Sequence, residues 1–445
     1  MQNRHFDRLL NPDRRQALVV GTQGVMALGL SQLLGVQAAA PPAKPIPPAP
    51  RTPGGTARSV ILVWLSGGPS HMDTFDPKPG TGAAYAGKFD RDIATNVSGI
   101  RLAQTLPLLA KHADKYALIR GMTHDDFGHE TASYKNLTGT TGISNLSYPL
   151  VGAIIAQKRY EAGYKGALPP FVVLGDPFTR IGGAGFLGRR CEAFVSSSVS
   201  TPPAGALAQA QGRRTLLQTL DKLGEPKAAD AAYRDITTSR DTAYGLILGD
   251  ERKVFDRSDE PKSVLEKYGT GSLGPNCLLA RRLVERGVPF VAINHGGWDT
   301  HARNCEQFEK YLGPALDQGL SALLSDLHER GLLKTTVVVC VGEFGRTPEI
   351  HNDPPWFGGR HHHGHAFSAL VAGGGFQGGQ VVGATDRIAN KVVKRPVYPW
   401  DLWGSIYYLL GIDPNGMLPH PEGRMVRVSP SAAGMPAGGL LTEIM

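Results

Sequence analysis

The sequence predicts an α/β protein built on a doubly wound, mostly parallel sheet flanked by helices, with a helical insertion. Three apolar runs point there: Ser59-Val-Ile-Leu-Val-Trp-Leu65, Val288-Pro-Phe-Val-Ala-Ile293 and Val337-Val-Val-Cys-Val341. Runs with so little polar interruption suit strands covered on both faces. Helical spacing lies between them, since Leu278 to Arg286 precedes the second run and the amphipathic stretch Tyr311 to Arg330 precedes the third. Each run also ends in His, Asp or Glu, and open α/β sheets collect ligands at the carboxyl ends of their strands.

Along the chain, residues 1–40 read as an export signal. Arg14-Arg15 precede an uncharged, moderately apolar stretch from Ala17 to Leu34, and Ala38-Ala-Ala40 offers small residues for cleavage. The paired arginines and the Gly- and Gln-diluted apolar stretch favour a twin-arginine route to the periplasm or cell envelope, with the general secretory route as the alternative. Residues 41–56 form a Pro-rich tether. The α/β domain is expected over 57–445.

Within it, Ile100 to Lys115 has helical spacing, Tyr116 to Arg120 is strand-like and Phe171 to Leu174 is a short strand. From about 176 to 270 the chain turns polar and helical, which predicts an inserted cap. Ala369 to Ala372 adds a strand, and Trp400 to Leu410 an amphipathic helix stopped by Gly411 before a Gly/Pro-rich tail.

The 445 residues carry a net charge of +8, about +6 without the leader. This charge is modest and dispersed, with no Lys/Arg block. It supports attraction to anionic small molecules or glycans, and no nucleic-acid binding is expected. No stable membrane span is expected once the leader is removed. Four cysteines, at 191, 277, 305 and 340, show no C-x-x-C spacing, and Cys340 suits a buried thiol in a strand.

The chemistry concentrates at the ends of the apolar runs. Nine of the 14 histidines fall in four short segments: His71; His124 and His129; His295 and His301; and His361, His362, His363 and His365. Asp73, Asp299 and Glu343 stand among them, with Arg346 and Arg360. Imidazoles with carboxylates are the donor set that Zn²⁺ accepts, and oxygen-rich versions suit Mg²⁺, Mn²⁺ or Ca²⁺. A metal-centred hydrolase is therefore expected.

Leu65-Ser-Gly-Gly-Pro-Ser-His-Met-Asp-Thr-Phe-Asp-Pro-Lys-Pro79, Gly296-Gly-Trp-Asp-Thr-His301, Gly342-Glu-Phe-Gly-Arg-Thr-Pro348, Gly359-Arg-His-His362 and Ala372-Gly-Gly-Gly-Phe-Gln-Gly-Gly379 occur in this order. Together they resemble the DUF1501 family of the alkaline phosphatase-like superfamily. The resemblance implies two divalent metal ions at strand ends and in-line attack on a phosphate or sulfate ester. Carried over by position, Asp73 or His71 would be the ligand after the first strand. Asp299 and His301 would follow, with His295 a further candidate, then Glu343 and His362. Arg346 or Arg360 would grip the nonbridging oxygens. Thr131, at a helix-like start, is the candidate nucleophile, with Ser133 beside it and a metal-activated water as the alternative. One departure stands out, because His361 occupies a position where the family has Asp. No C/S-x-P-x-R sequence occurs, which argues against a formylglycine sulfatase mechanism. The rival expectation is a non-catalytic envelope or glycan-binding protein that keeps the fold.

Overall fold

The computed structural model describes residues 55–140, 147–178, 180–196, 205–223, 237, 240–241, 243–246, 248–429 and 437–445. The expected leader and nearly all of the tether fall outside the described residues. Eight strands form the main sheet: β1 (Ser59–Leu65), β2 (Tyr116–Met122), β3 (Phe171–Gly175), β4 (Phe194–Ser196), β5 (Phe290–His295), β6 (Thr336–Val341), β7 (Phe367–Ala372) and β8 (Gln380–Val382). Their order across the sheet is β8-β2-β7-β6-β1-β5-β3-β4.

β1 pairs parallel with both β5 and β6, and β3 pairs parallel with β5 and β4. Only β7 is reversed, antiparallel to β6 on one side and to β2 on the other, while β8 runs parallel to β2. The exits of β1, β2, β5 and β6 and the entrance of β7 therefore share one edge of the sheet.

Every residue of β1 and β6 is buried, which is why their sequences show no polar alternation. Ile61, Val63 and Leu65 face one core with Leu278 and Leu283 of α5 (Gly274–Glu285) and Leu320 and Leu323 of α6 (Gly313–Glu329). Val60, Leu62 and Trp64 face the other, with Ile154 and Ile155 of α2 (Val151–Glu161) and Trp403 and Ile406 of α7 (Pro399–Leu409). The sheet is doubly wound in this sense. Cutting a fully buried side chain such as Leu320 to Ala would cost about 2–5 kcal/mol through lost burial and a cavity.

Residues 100–115 differ from the expected helix. Arg101–Ala103 pairs antiparallel with Asp92–Ala94, and a single 3-10 stretch spans Leu109–Lys115. Pro107 explains the break, because it lacks an N–H and pushes the preceding residue away from helical geometry. The carboxylate of Asp317, on α6, then accepts the N–H groups of Leu108 and Leu109 at 2.9 and 2.7 Å. In the region expected as a cap, two short 3-10 turns, Gly185–Leu187 and Arg189–Cys191, precede β4, which joins the sheet edge; α3 (Ala206–Leu223) and α4 (Lys262–Tyr268) follow. Among the described residues no helix is long and apolar enough to cross a membrane.

Candidate metal centre

The shared edge gathers side chains from segments far apart in sequence. β5 ends at His295 and leads to Asp299 and His301, while β6 ends at Val341 and leads to Glu343 and Arg346. β2 leads to His129, the first residue of α1 (His129–Thr138). His362 arrives from the other direction, just ahead of the reversed β7, where His362–His363 forms a short antiparallel ladder with Gly345–Arg346.

The loop leaving β1 packs directly beneath. Gly67 has φ +115°, and a Cβ there would lie 2.3 Å from the backbone nitrogen of Asp299, so only glycine permits this approach. Its N–H donates to Glu343 Oε1 at 2.7 Å, and its carbonyl accepts from Arg346 Nη2.

His129, Asp299, His301 and His362 converge, with one ligand atom from each lying within 4.8 Å of all the others. Asp299 is the hub. Its Oδ1 lies 3.1 Å from His301 Nε2, 3.2 Å from His362 Nε2 and 2.6 Å from Arg346 Nη2, and its Oδ2 lies 3.3 Å from His129 Nε2. His301 Nε2 and His362 Nε2 are 2.8 Å apart. Donor atoms around a tetrahedral ion with bonds of about 2.0–2.1 Å sit roughly 3.3 Å from one another, close to this spacing.

The outward nitrogens show why the inward ones suit a cation. His129 Nδ1 faces Glu343 Oε1 at 2.9 Å and His362 Nδ1 faces the Phe127 carbonyl at 2.7 Å. Both partners only accept, so both Nδ1 atoms carry protons. A neutral ring then has a lone pair at Nε2, and in His129 and His362 that lone pair points at a carboxylate. Acceptor facing acceptor requires an extra proton or a cation between them. Three imidazoles and one carboxylate are a borderline-soft donor set, so the cluster can hold a divalent metal ion.

The electrostatics follow the same geometry. Hydrogen bonds to Asp299 and then Glu343 raise the His129 imidazole to about 9 against the opposing effect of burial. Burial lowers His301 to about 4; Asp299 opposes this and Arg346 reinforces it. Burial would raise the Asp299 carboxyl, but hydrogen bonds from His129, His362 and Arg346 hold it far below the usual carboxylate range.

Of the expected metal ligands, Asp299, His301 and His362 come together, and the others do not join them. His71 is buried and donates from Nε2 to the Ala389 carbonyl at 2.8 Å. Asp73 is buried, paired with Arg360 at 3.1 Å, and accepts from Asn304 at 2.7 Å. His295 is held by Ser272 at 2.8 Å and by the Trp298 indole at 3.0 Å. Glu343 stands one step behind the cluster, against His129, with Oε2 buried and unpartnered among the described residues.

The two arginines differ from the expected ester-oxygen binders. Arg346 is fully buried and donates to the carbonyls of Gly67, Gly68 and Arg360 and to Asp299. Arg360 is also fully buried, spent on Asp73 and the carbonyls of Tyr85, Thr347 and Pro348. The Thr131 hydroxyl donates to Asp126 Oδ1 at 2.6 Å. A cleft of about 330 Å³ opens beside it, lined by Glu130, Tyr134, Lys135 and Arg180 among others.

His129 was absent from the expected ligand set. The available signal was its place among the clustered histidines, directly ahead of Glu130 and a helical stretch. The Phe127 carbonyl left no trace in side-chain chemistry.

The chain matches the family described as "Protein of unknown function (DUF1501)" over residues 57–435, and so belongs to it. No curated protein matches the chain. Solved structures similar to it include Ps i-CgsB, at 12% identity and TM-score 0.38, covering 80% of this chain and 72% of that one. Another is the lipoteichoic acid synthase LtaP from Listeria monocytogenes, at 11% identity and TM-score 0.36, covering 85% and 76%. A third is a protein in the alkaline phosphatase superfamily from Vibrio parahaemolyticus, at 11% identity and TM-score 0.35, covering 90% and 76%. At such scores these likenesses bear on neither activity nor substrate.

Proposed function

We propose that this DUF1501 chain is an exported, metal-dependent hydrolase of phosphate or sulfate esters carried by anionic small molecules or glycans. The observation that carries the proposal is the convergence of His129, His301 and His362 on Asp299 at the open edge of the sheet. All four are partly exposed, so an ion held there would be reachable from solvent.

A divalent ion in such a site supplies Lewis acidity and compensates charge on an ester. The chain's own residues supply the rest. Glu343 keeps the proton on His129 Nδ1 and so aims Nε2 inward, the arrangement by which outer carboxylates orient metal-binding imidazoles. Arg346 fixes one oxygen of Asp299 and braces the loop after β1. With the Thr131 hydroxyl tied to Asp126, water is the proposed nucleophile. The cleft along α1 would take the organic part of the ester, with Lys135 and Arg180 on its wall. The four-residue cluster accounts for one ion; a second rests on the superfamily resemblance alone.

Residues 57–445 are proposed as one α/β domain with a cap over about 176–270, released from a leader that ends near Ala40. Replacing Arg14 and Arg15 by Lys should leave precursor in the cytoplasm, whereas normal export of that variant would point to the general secretory route.

A second reading has one observation in its favour: Arg346 and Arg360 offer no free guanidinium to an ester. It makes the protein a metal-holding binder of envelope or glycan partners. Metal analysis of purified protein, followed by hydrolysis of p-nitrophenyl phosphate and sulfate by the zinc- and manganese-loaded forms, separates the two. Turnover abolished by Asp299→Asn supports the enzyme. Bound metal without turnover of any ester favours the binder, and absence of any retained divalent ion removes the metal reading altogether.

A further inference from the structure

The three histidines at the centre have three different outer partners. His129 Nδ1 meets a carboxylate and His362 Nδ1 a backbone carbonyl, at 2.9 and 2.7 Å, whereas His301 Nδ1 meets another imidazole, His361 Nδ1, at 2.8 Å. A histidine that ligates through Nε2 must carry its proton on Nδ1, and that proton needs an acceptor. For His301, His361 Nδ1 occupies the acceptor position.

The His361 ring is held rather than loose. Its backbone N–H donates to Thr347 Oγ1 at 3.0 Å and its carbonyl accepts from the Thr347 N–H at 2.8 Å. The Trp356 ring stands edge-on to it with centroids 4.7 Å apart, and His351 packs at 4.3 Å. Close backbone contact keeps the two segments together, because a Cβ on Gly359 would lie 1.7 Å from the His301 carbonyl.

We propose that His361 is the positioning residue for His301, accepting its Nδ1 proton and thereby selecting the tautomer that directs Nε2 to the metal. This rests on the metal reading above and adds the requirement that His361 present its own Nδ1 unprotonated. A neutral imidazole is a weaker acceptor than the carboxylate behind His129. The His301 bond is therefore softer than that of His129 and more sensitive to its outer partner.

The test measures Zn²⁺ affinity by competition with a chelator, and the absorption of the Co²⁺-loaded protein, for the full chain and for His361→Leu, His361→Asn and His301→Ala. Removing an outer acceptor typically costs 10–100-fold in metal affinity, so His361→Leu should lose about that much and shift the cobalt absorption. His361→Asn, whose Oδ1 can stand where Nδ1 stood, should stay within about threefold of the parent. Parent-like affinity and spectrum in His361→Leu would overturn the proposal while leaving the metal centre intact. An equal loss in His361→Asn would also overturn it, since ring packing would then be the cause. If the parent binds Zn²⁺ no better than His301→Ala, the underlying metal reading fails and this one with it.

Discussion

Two groups of histidines lie at the same edge of the sheet and have come to opposite ends. His71, His124 and His363 donate from Nε2 to the carbonyls of Ala389, Glu343 and Asn390 at 2.8, 2.6 and 2.6 Å, and His295 is enclosed by Ser272 and Trp298. These four are buried. His129, His301 and His362 instead turn Nε2 toward Asp299 and remain partly open. Residue type and local spacing are alike in the two groups. What differs is the atom opposite the nitrogen: a backbone carbonyl uses the imidazole up as a structural donor, whereas a shared carboxylate leaves a lone pair with nothing to hold but a proton or a cation.

The largest expected effect comes from acid. Burial lowers His71, His124 and His295 from 6.5 to about 4. Between those values each of these three rings binds more protons in the unfolded chain than in the folded one, so the stability they contribute is full above about 6.5 and falls as pH drops toward 4. Each shift, fully expressed below pH 4, is worth roughly 3 kcal/mol, and about 2 kcal/mol of it is already lost at pH 5, so denaturant midpoints should fall continuously from pH 6.5 to 4. A flat profile over that window would mean these rings are not closed off as described.

Asp299→Asn should be next, weakening metal binding by more than about 100-fold and also lowering the melting temperature of the metal-free protein, because the buried Arg346 guanidinium loses its carboxylate. Calorimetric titration with Zn²⁺ measures it, and His71→Phe is the partner experiment, expected to keep the metal. Loss of metal in His71→Phe with the fold intact would erase the boundary between the groups. Glu343→Gln should reduce affinity about 10–100-fold, because the amide still fills the space but holds the His129 proton less strongly. The smallest effect belongs to Thr131→Ala, a loss of about 1 kcal/mol in stability for its hydrogen bond to Asp126, with unchanged metal affinity.

The strands were legible where burial is complete. β1, β5 and β6 stand out because a two-sided core leaves continuous apolar runs. β4 and β8 were not, since three-residue edge strands such as Phe194–Ser196 carry too few residues to show a pattern. Residues 100–115 misled because leucine spacing outweighed a single proline. At the site, Asp299, His301 and His362 were expected from their places after apolar runs and from the family resemblance, but His71, Asp73 and His295 looked the same. The fate of His71 and Asp73 was decided by Ala389 and Arg360, partners up to 318 residues away that no local pattern reveals, whereas His295 is met by the neighbouring Trp298 and by Ser272.

The reversed strand β7 ties distant segments of the chain together at the site. Because β7 runs backwards between β2 and β6, His362 is brought to His129 and Asp299 across strands that span residues 116 to 372. Contacts of such long range are associated with slow folding, and the four donors tie together segments from across the sheet. An ion captured there would act as a keystone, setting the lifetime of the whole sheet rather than of one loop. At a hundred times its dissociation constant it would add about 2.7 kcal/mol to global stability. Chelation should then shorten survival against protease everywhere in the domain at once.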